Sequence, residues 1–108
     1  PMTARKRWIA GQLRAKGDIV IDNGAVHALR QHGVSLLAAG VLRVRGDFRR
    51  GDVVRCLDQN NEIVAQGLSN YGVAEVTAIK GLASGDYRQA IGYAAEEEVV
   101  HRDNLVLI

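Results

Sequence analysis

Apolar and polar positions alternate most regularly between Val34 and Gly67, where turn signals separate three short runs rich in β-branched residues. The runs are Val41–Arg45 (V-L-R-V-R), Val53–Asp58 (V-V-R-C-L-D) and Glu62–Gln66 (E-I-V-A-Q). Gly46–Asp52 divides the first two, and Gln59-Asn60-Asn61 divides the last two. Asn there tolerates the left-handed backbone that a tight turn needs. The spacing predicts an antiparallel meander of three strands, each about five residues long. Successive strand side chains point to opposite faces. Leu42 and Val44 therefore share one face, Val41, Arg43 and Arg45 the other, and Val54 and Cys56 oppose Arg55. A sheet that is dry on one face and carries Arg43, Arg45 and Arg55 on the other needs a lid, or must curl onto itself.

The rest of the chain supplies both. Thr3–Leu13 predicts a short basic helix on which Trp8, Ile9 and Leu13 share a stripe. Gly17-Asp18 turns the chain into a brief strand, Ile19–Ile21. Asn23-Gly24 is a hairpin signal, but Val26 and Leu29 lie three apart and Gly33 follows them. The reading is a helix capped by Asp22 or Asn23 and stopped at Gly33. Val73–Lys80 has helical spacing up to Gly81, and Asp86–Ile91 is a second short helix before Gly92. Val99-Val100-His101 and the apolar ending Leu105–Ile108 complete the pattern, and such an ending is normally tied into a sheet.

Composition adds limits. The 108 residues make one domain, too small for an enzyme with two substrate lobes. Twelve glycines against one proline suit a turn-rich, mainly β fold. A net charge of +2, from 14 Lys and Arg against 12 Asp and Glu, names no partner by itself. The lone Cys56 excludes an internal disulfide and falls at an inward position, as a small core residue. No apolar run reaches membrane-spanning length and no signal peptide is visible, so the expectation is a cytoplasmic protein without a membrane partner.

ARKRWIAGQL, DNGAVHALRQHGVSLLAAGV, GDFRRGDVV, VAQGLSNYG and VVHRDNLVLI, in this order, closely resemble the C-terminal domain of the bacterial glutamate 5-kinase family, a domain of the PUA type. Two departures stand out. Ala39 replaces the family's usual proline before the meander's glycine, and Gly72-Val73 replaces a Ser-Ser pair, which weakens the expected cap of the next helix. The resemblance implies a mainly β, PUA-like pseudo-barrel of about five or six mostly antiparallel strands with short helices. It implies residues 1–17 as a basic helix and linker from an amino-acid-kinase domain, and 18–108 as the PUA domain. The parent would use ATP and Mg²⁺ to phosphorylate the side-chain carboxylate of L-glutamate, as a homo-oligomer. This segment would hold no catalytic, cofactor or metal residue and would be inactive alone. Its role would be accessory, regulatory or of the RNA-binding type, with a stand-alone RNA-binding module as the alternative.

Several short motifs carry less than they suggest. His101-Arg102-Asp103 copies a kinase catalytic loop, but no strand lysine, D-F-G or Gly-rich phosphate loop accompanies it, so it reads as a turn into the last strand. The two R-G-D tripeptides at Arg45 and Arg50 read as glycines at hairpin ends. His27 and His32 lie five apart, which does not converge on a metal. The candidate RNA or partner surface is Arg43, Arg45 and Arg55 with Arg49 and Arg50 in the loop. Guanidiniums on one face suit a phosphate backbone. The same residues also suit a solvated sheet face with Asp47, Asp52 and Asp58 as partners, since no aromatic row accompanies them.

Overall fold

In the computed structural model, which describes residues 2–108, helix α1 (Ala4–Ala10) comes first. Thr3 caps it, its hydroxyl accepting from the Lys6 amide at 3.1 Å. Strand β1 (Gly17–Ile21) leads into α2 (Asn23–His32). The Asp22 carboxylate caps α2 through the Ala25 amide at 2.7 Å, and Gly33 stops it at φ 57°, as the sequence predicts. A short strand β2 (Leu36–Leu37) and a 3-10 turn (Ala38–Gly40) precede β3 (Val41–Gly46), β4 (Val53–Leu57) and β5 (Ile63–Leu68). Helices α3 (Val73–Ile79) and α4 (Tyr87–Ile91) follow, then β6 (Glu98–Val100), a 3-10 turn (Arg102–Asn104) and β7 (Leu105–Leu107). Gly72 offers no side chain to cap α3. The Glu75 carboxylate compensates by accepting from the Gly72 amide at 2.8 Å.

The five-stranded sheet runs β3-β1-β4-β5-β7, and β2 pairs with β6 in a separate two-stranded ladder. The described residues form a mainly β fold with short helices, in seven strands. The hairpin of β4 and β5 forms as expected, with Asn61 at φ 64° and the Asp58 carboxylate accepting from the Asn60 and Glu62 amides. The predicted three-strand meander does not form. β1 lies between β3 and β4, antiparallel to the first and parallel to the second. The loop from β3 to β4 therefore crosses the start of β1 and plants Phe48, 1% exposed, in the core. Only glycine fits that crossing. A Cβ on Gly46 would lie 2.6 Å from Gly17 Cα, and one on Gly17 would meet the Phe48 ring at 2.5 Å.

Two bulges revise the face assignments. Val20 pairs with Arg43 but Ile21 with Val41, which leaves Leu42 as an extra residue. Val41 thereby turns into the core at 2% exposure, while Leu42 stands 40% exposed, the reverse of strict alternation. In β5, Val64 is the extra residue; it packs with Ala65 in the core while Ile63 faces out. The main core joins Ile19, Ile21, Val54 and Cys56 to residues of the helices, among them Leu29, Val76, Ile79 and Tyr87. The predicted stripe on α1 reduces to Ile9. The helix ends at Ala10, so Leu13 lies beyond it, 98% exposed, and Trp8 is 54% exposed. Opposite the main core, α1 packs against β5 and β7, and the buried Gln66 carboxamide donates to the Ile9 and Gln12 carbonyls at 2.7 and 2.9 Å.

Candidate functional site

The register brings three of the predicted arginines onto one sheet face. Asp18 of β1 pairs with Arg45 of β3 on one side and Arg55 of β4 on the other, and Arg55 pairs with Gln66 of β5. Arg43 lies two residues from Arg45, on the same side, opposite Val20. Gln66 is where α1 begins to cover this face, and Val20 and Leu57 on it are buried, so its exposed part is the group of arginines around Asp18.

Asp18 organises that part. Its carboxylate, 18% exposed, accepts from Arg55 Nε at 2.9 Å and lies 3.6 Å from Arg45 Nη2. Arg45 also donates to the Asn61 carboxamide oxygen at 3.2 Å. The two guanidiniums are thereby held in fixed directions while remaining 47% and 41% exposed. Arg43 makes no ion pair among the described residues. The face presents three guanidiniums against one carboxylate, a net positive, partly preoriented surface.

The loop arginines go elsewhere. Arg50 Nη2 donates to Glu96 Oε1 at 2.9 Å, Nη1 donates to Oε2, and Nη1 also donates to the Asn70 carbonyl at 3.0 Å. The pair raises the Arg50 guanidinium's pKa, and the Arg50 hydrogen bonds hold the Glu96 carboxyl below the usual carboxylate range. Tyr71 reinforces this attachment of the segment 92–97: its hydroxyl donates to the Glu96 carbonyl and accepts from the Glu96 amide at 3.0 Å. Arg49 is exposed, and its amide donates to the Asp52 carboxylate at 2.9 Å. The partners of the surface arginines are thus Asp18 and Glu96, in place of Asp47, Asp52 and Asp58. Asp18 had one sequence signal: it stands two residues from Val20 and hence on the face opposite Ile19. Glu96 had none beyond its charge.

The remaining motifs are structural. His101-Arg102-Asp103 runs into the 3-10 turn ahead of β7, with His101 Nδ1 accepting from the Asp103 amide at 3.0 Å. Gly46 and Gly51 take positive φ, 101° and 89°, at the ends of the β3–β4 loop. His27 and His32 meet edge to face at 5.7 Å. Cys56 is fully buried, and burial pushes its thiol up to about 12. Among the described residues no group of three or more His, Cys, Asp or Glu is placed to hold a metal, and no helix is long and apolar enough to cross a membrane. A groove of about 310 Å³ beside α2 is lined by Ala25, Leu29, Leu36 and Ala39, with Asp22 as its one charged residue.

Residues 17–91 match the PUA domain family. The whole chain is 49% identical to part of a glutamate 5-kinase from Chromohalobacter salexigens and 50% identical to part of one from Nitrosococcus oceani. It spans 29% of the length of each of these curated relatives. Among solved structures, a PUA domain from Aeropyrum pernix K1, determined as a tartrate complex, is similar at TM-score 0.58 and 29% identity, over 80% of this chain and 41% of that one. A chain of an H/ACA ribonucleoprotein bound to a substrate RNA containing 2'-deoxyuridine is similar at TM-score 0.55 and 26% identity, over 81% of this chain and 25% of that one.

Proposed function

Since the chain belongs to the PUA domain family, we propose that it is the accessory domain of a glutamate 5-kinase, tuning the activity or assembly of the enzyme without taking part in phosphoryl transfer. The supporting observation is near-50% identity across the entire chain to a 29% share of such kinases. Residues 18–108 are the PUA domain in this reading, and residues 1–17 connect it to an amino-acid-kinase domain of the same polypeptide. That domain holds ATP and Mg²⁺ and transfers the γ-phosphate to the L-glutamate side-chain carboxylate, in a cytoplasmic homo-oligomer. The residues present here do not fit those groups: the described acids and histidines form no metal cluster, and no Gly-rich loop links a strand to a helix N-terminus. No step of the transfer is assigned to this chain.

The test is steady-state kinetics of the longer enzyme with and without residues 1–108. Removal is expected to alter KM, kcat or the response to proline while leaving phosphoryl transfer possible. The 108-residue chain alone is expected to form no γ-glutamyl hydroxamate from ATP, glutamate and hydroxylamine. Hydroxamate formation by that chain, or kinetics untouched by its removal, overturns the reading.

A second reading rests on the similarity to a chain of an RNA-bound ribonucleoprotein together with the arginine face. If Arg43, Arg45, Arg49, Arg50 and Arg55 meet a phosphate backbone, Arg43→Ala and Arg45→Ala weaken binding alike for unrelated RNA sequences, and affinity falls steeply with salt as counterions are released. Asp18→Asn then strengthens binding, because it frees two guanidiniums. Gel shifts at two salt concentrations decide. Binding that ignores salt, or survives the double alanine change, removes RNA from consideration.

A further inference from the structure

The two end strands of the main sheet are treated very differently. β3 carries Arg43, Arg45 and the Leu42 bulge, features that keep an edge from pairing with another chain. β7 is Leu105-Val106-Leu107, without a charge or a bulge. The Ile108 amide donates to the Val64 carbonyl at 2.9 Å, so Val106 and Ile108 turn their backbone groups toward β5. The Leu107 amide and the Leu105 and Leu107 carbonyls consequently point to the open side. A groove of about 250 Å³ follows this edge, lined by Met2, Leu29, Val34 and Leu107, with Lys6 and Arg102 as its charged residues. Met2 is 44% exposed, Leu107 47% and Ile108 61%. Among the described residues neither Lys6 nor Arg102 makes an ion pair.

We propose that the β7 edge is the docking surface for the rest of the parent polypeptide: an extended acidic segment of the kinase portion lies along β7, with an apolar side chain in the groove and carboxylates against Lys6 and Arg102. The mode is strand addition at a sheet edge, with backbone hydrogen bonds for affinity and the groove for specificity. The inference rests on the reading of the chain as a domain of a glutamate 5-kinase, whose relatives carry more than two thirds of their length outside the matched part. Charge selects the occupant. A second copy docked edge to edge brings Lys6 and Arg102 toward their own counterparts, whereas an acidic segment neutralises both.

Cysteine labelling tests this, because buried Cys56 is silent toward alkylating reagents in the folded domain. Leu107→Cys is labelled in the 108-residue chain and in the longer enzyme, with peptide-level mass spectrometry reading position 107. Labelling is expected to be at least about tenfold slower in the longer enzyme at every protein concentration, as docking limits access to transient opening. A Leu42→Cys control at the β3 bulge is expected to react alike in both. Lys6→Glu with Arg102→Glu returns the rate at position 107 toward that of the short chain. Amide hydrogen exchange at Leu107, which needs no substitution, is expected to slow in parallel. Equal rates in the two proteins overturn the proposal, as does protection that appears in the short chain as its concentration rises. Glutamate kinase assays on the same samples separate the two layers: an inactive longer enzyme refutes the parent assignment, whatever the labelling shows.

Discussion

A methyl group added at Gly67 would sit 2.6 Å from Val100 Cγ1 and 2.7 Å from the Asn104 carbonyl oxygen. The second neighbour is backbone and has little room to retreat, so Gly67→Ala is expected to lose about 1–3 kcal/mol in urea unfolding. Gly85→Ala, with nothing within 4 Å of its Cβ, is expected to stay within about 0.5 kcal/mol of the parent chain. Wild-type stability in the first variant means that β5 and the 102–104 turn separate more easily than their packing implies. Cys56 gives a second residue-scale expectation. Its thiol ionises near 9 when exposed and near 12 when buried, so the unfolded chain releases that proton first. Stability therefore falls as pH rises from 9 toward 12, and Cys56→Ser is expected to flatten that limb of a urea-midpoint profile. The inward place of Cys56 was legible because β4 pairs with β1 without an inserted residue, so successive side chains keep to opposite faces. Those of Val41 and Leu42 were not, because a bulge is a property of the pairing with β1 and leaves no mark in V-L-R-V-R.

Elements divide in the same way between local and distant causes. The ends of α2 and α3, the Asn61 turn and the C-terminal strand follow from residues within a few positions, and each was readable. The strap formed by residues 92–97 was not, because Arg50 and Tyr71 hold it from far along the chain. Its pH dependence follows from Glu96, whose folded carboxyl lies below the ordinary 4.5. The ion pair thus stabilises above that value and is lost as pH falls through the folded value, softened by the solvent exposure of both groups. Glu96→Gln is expected to lower the urea midpoint at pH 7 and to converge with the parent chain as pH falls through the folded value of Glu96; profiles that stay parallel across the whole acid limb refute the assignment. Deleting Leu105–Ile108 removes the β5 partner and one buried leucine, Leu105 at 7% exposure, worth about 1.5–3 kcal/mol. The truncated domain is expected to melt at least about 8 °C lower, and a change under about 2 °C marks the segment as a loose tail.

At the scale of the whole molecule, the decisive fact is that the first strand in the chain occupies an interior place in the sheet. Nothing in Gly17–Ile21 announces it, since a five-residue apolar strand reads the same at an edge or in the middle. The arginine face depends on it, because Asp18 reaches Arg45 and Arg55 only from between them. The insertion also sets a timetable. β3 and β4, neighbours in sequence, cannot zip together, so β1 must find both across long stretches of chain before the loop with Phe48 can close. Among the described residues only β4 and β5 form a local hairpin, joined by residues 58–62. Chains dominated by such distant pairings fold slowly, in the range of milliseconds to seconds. In pulsed hydrogen exchange during refolding, the amides of β4 and β5 are expected to gain protection first and those of β1 together with β3. During that interval β1 has two unpaired edges, which makes the refolding chain, rather than the native one, the species most exposed to mispairing with its own copies.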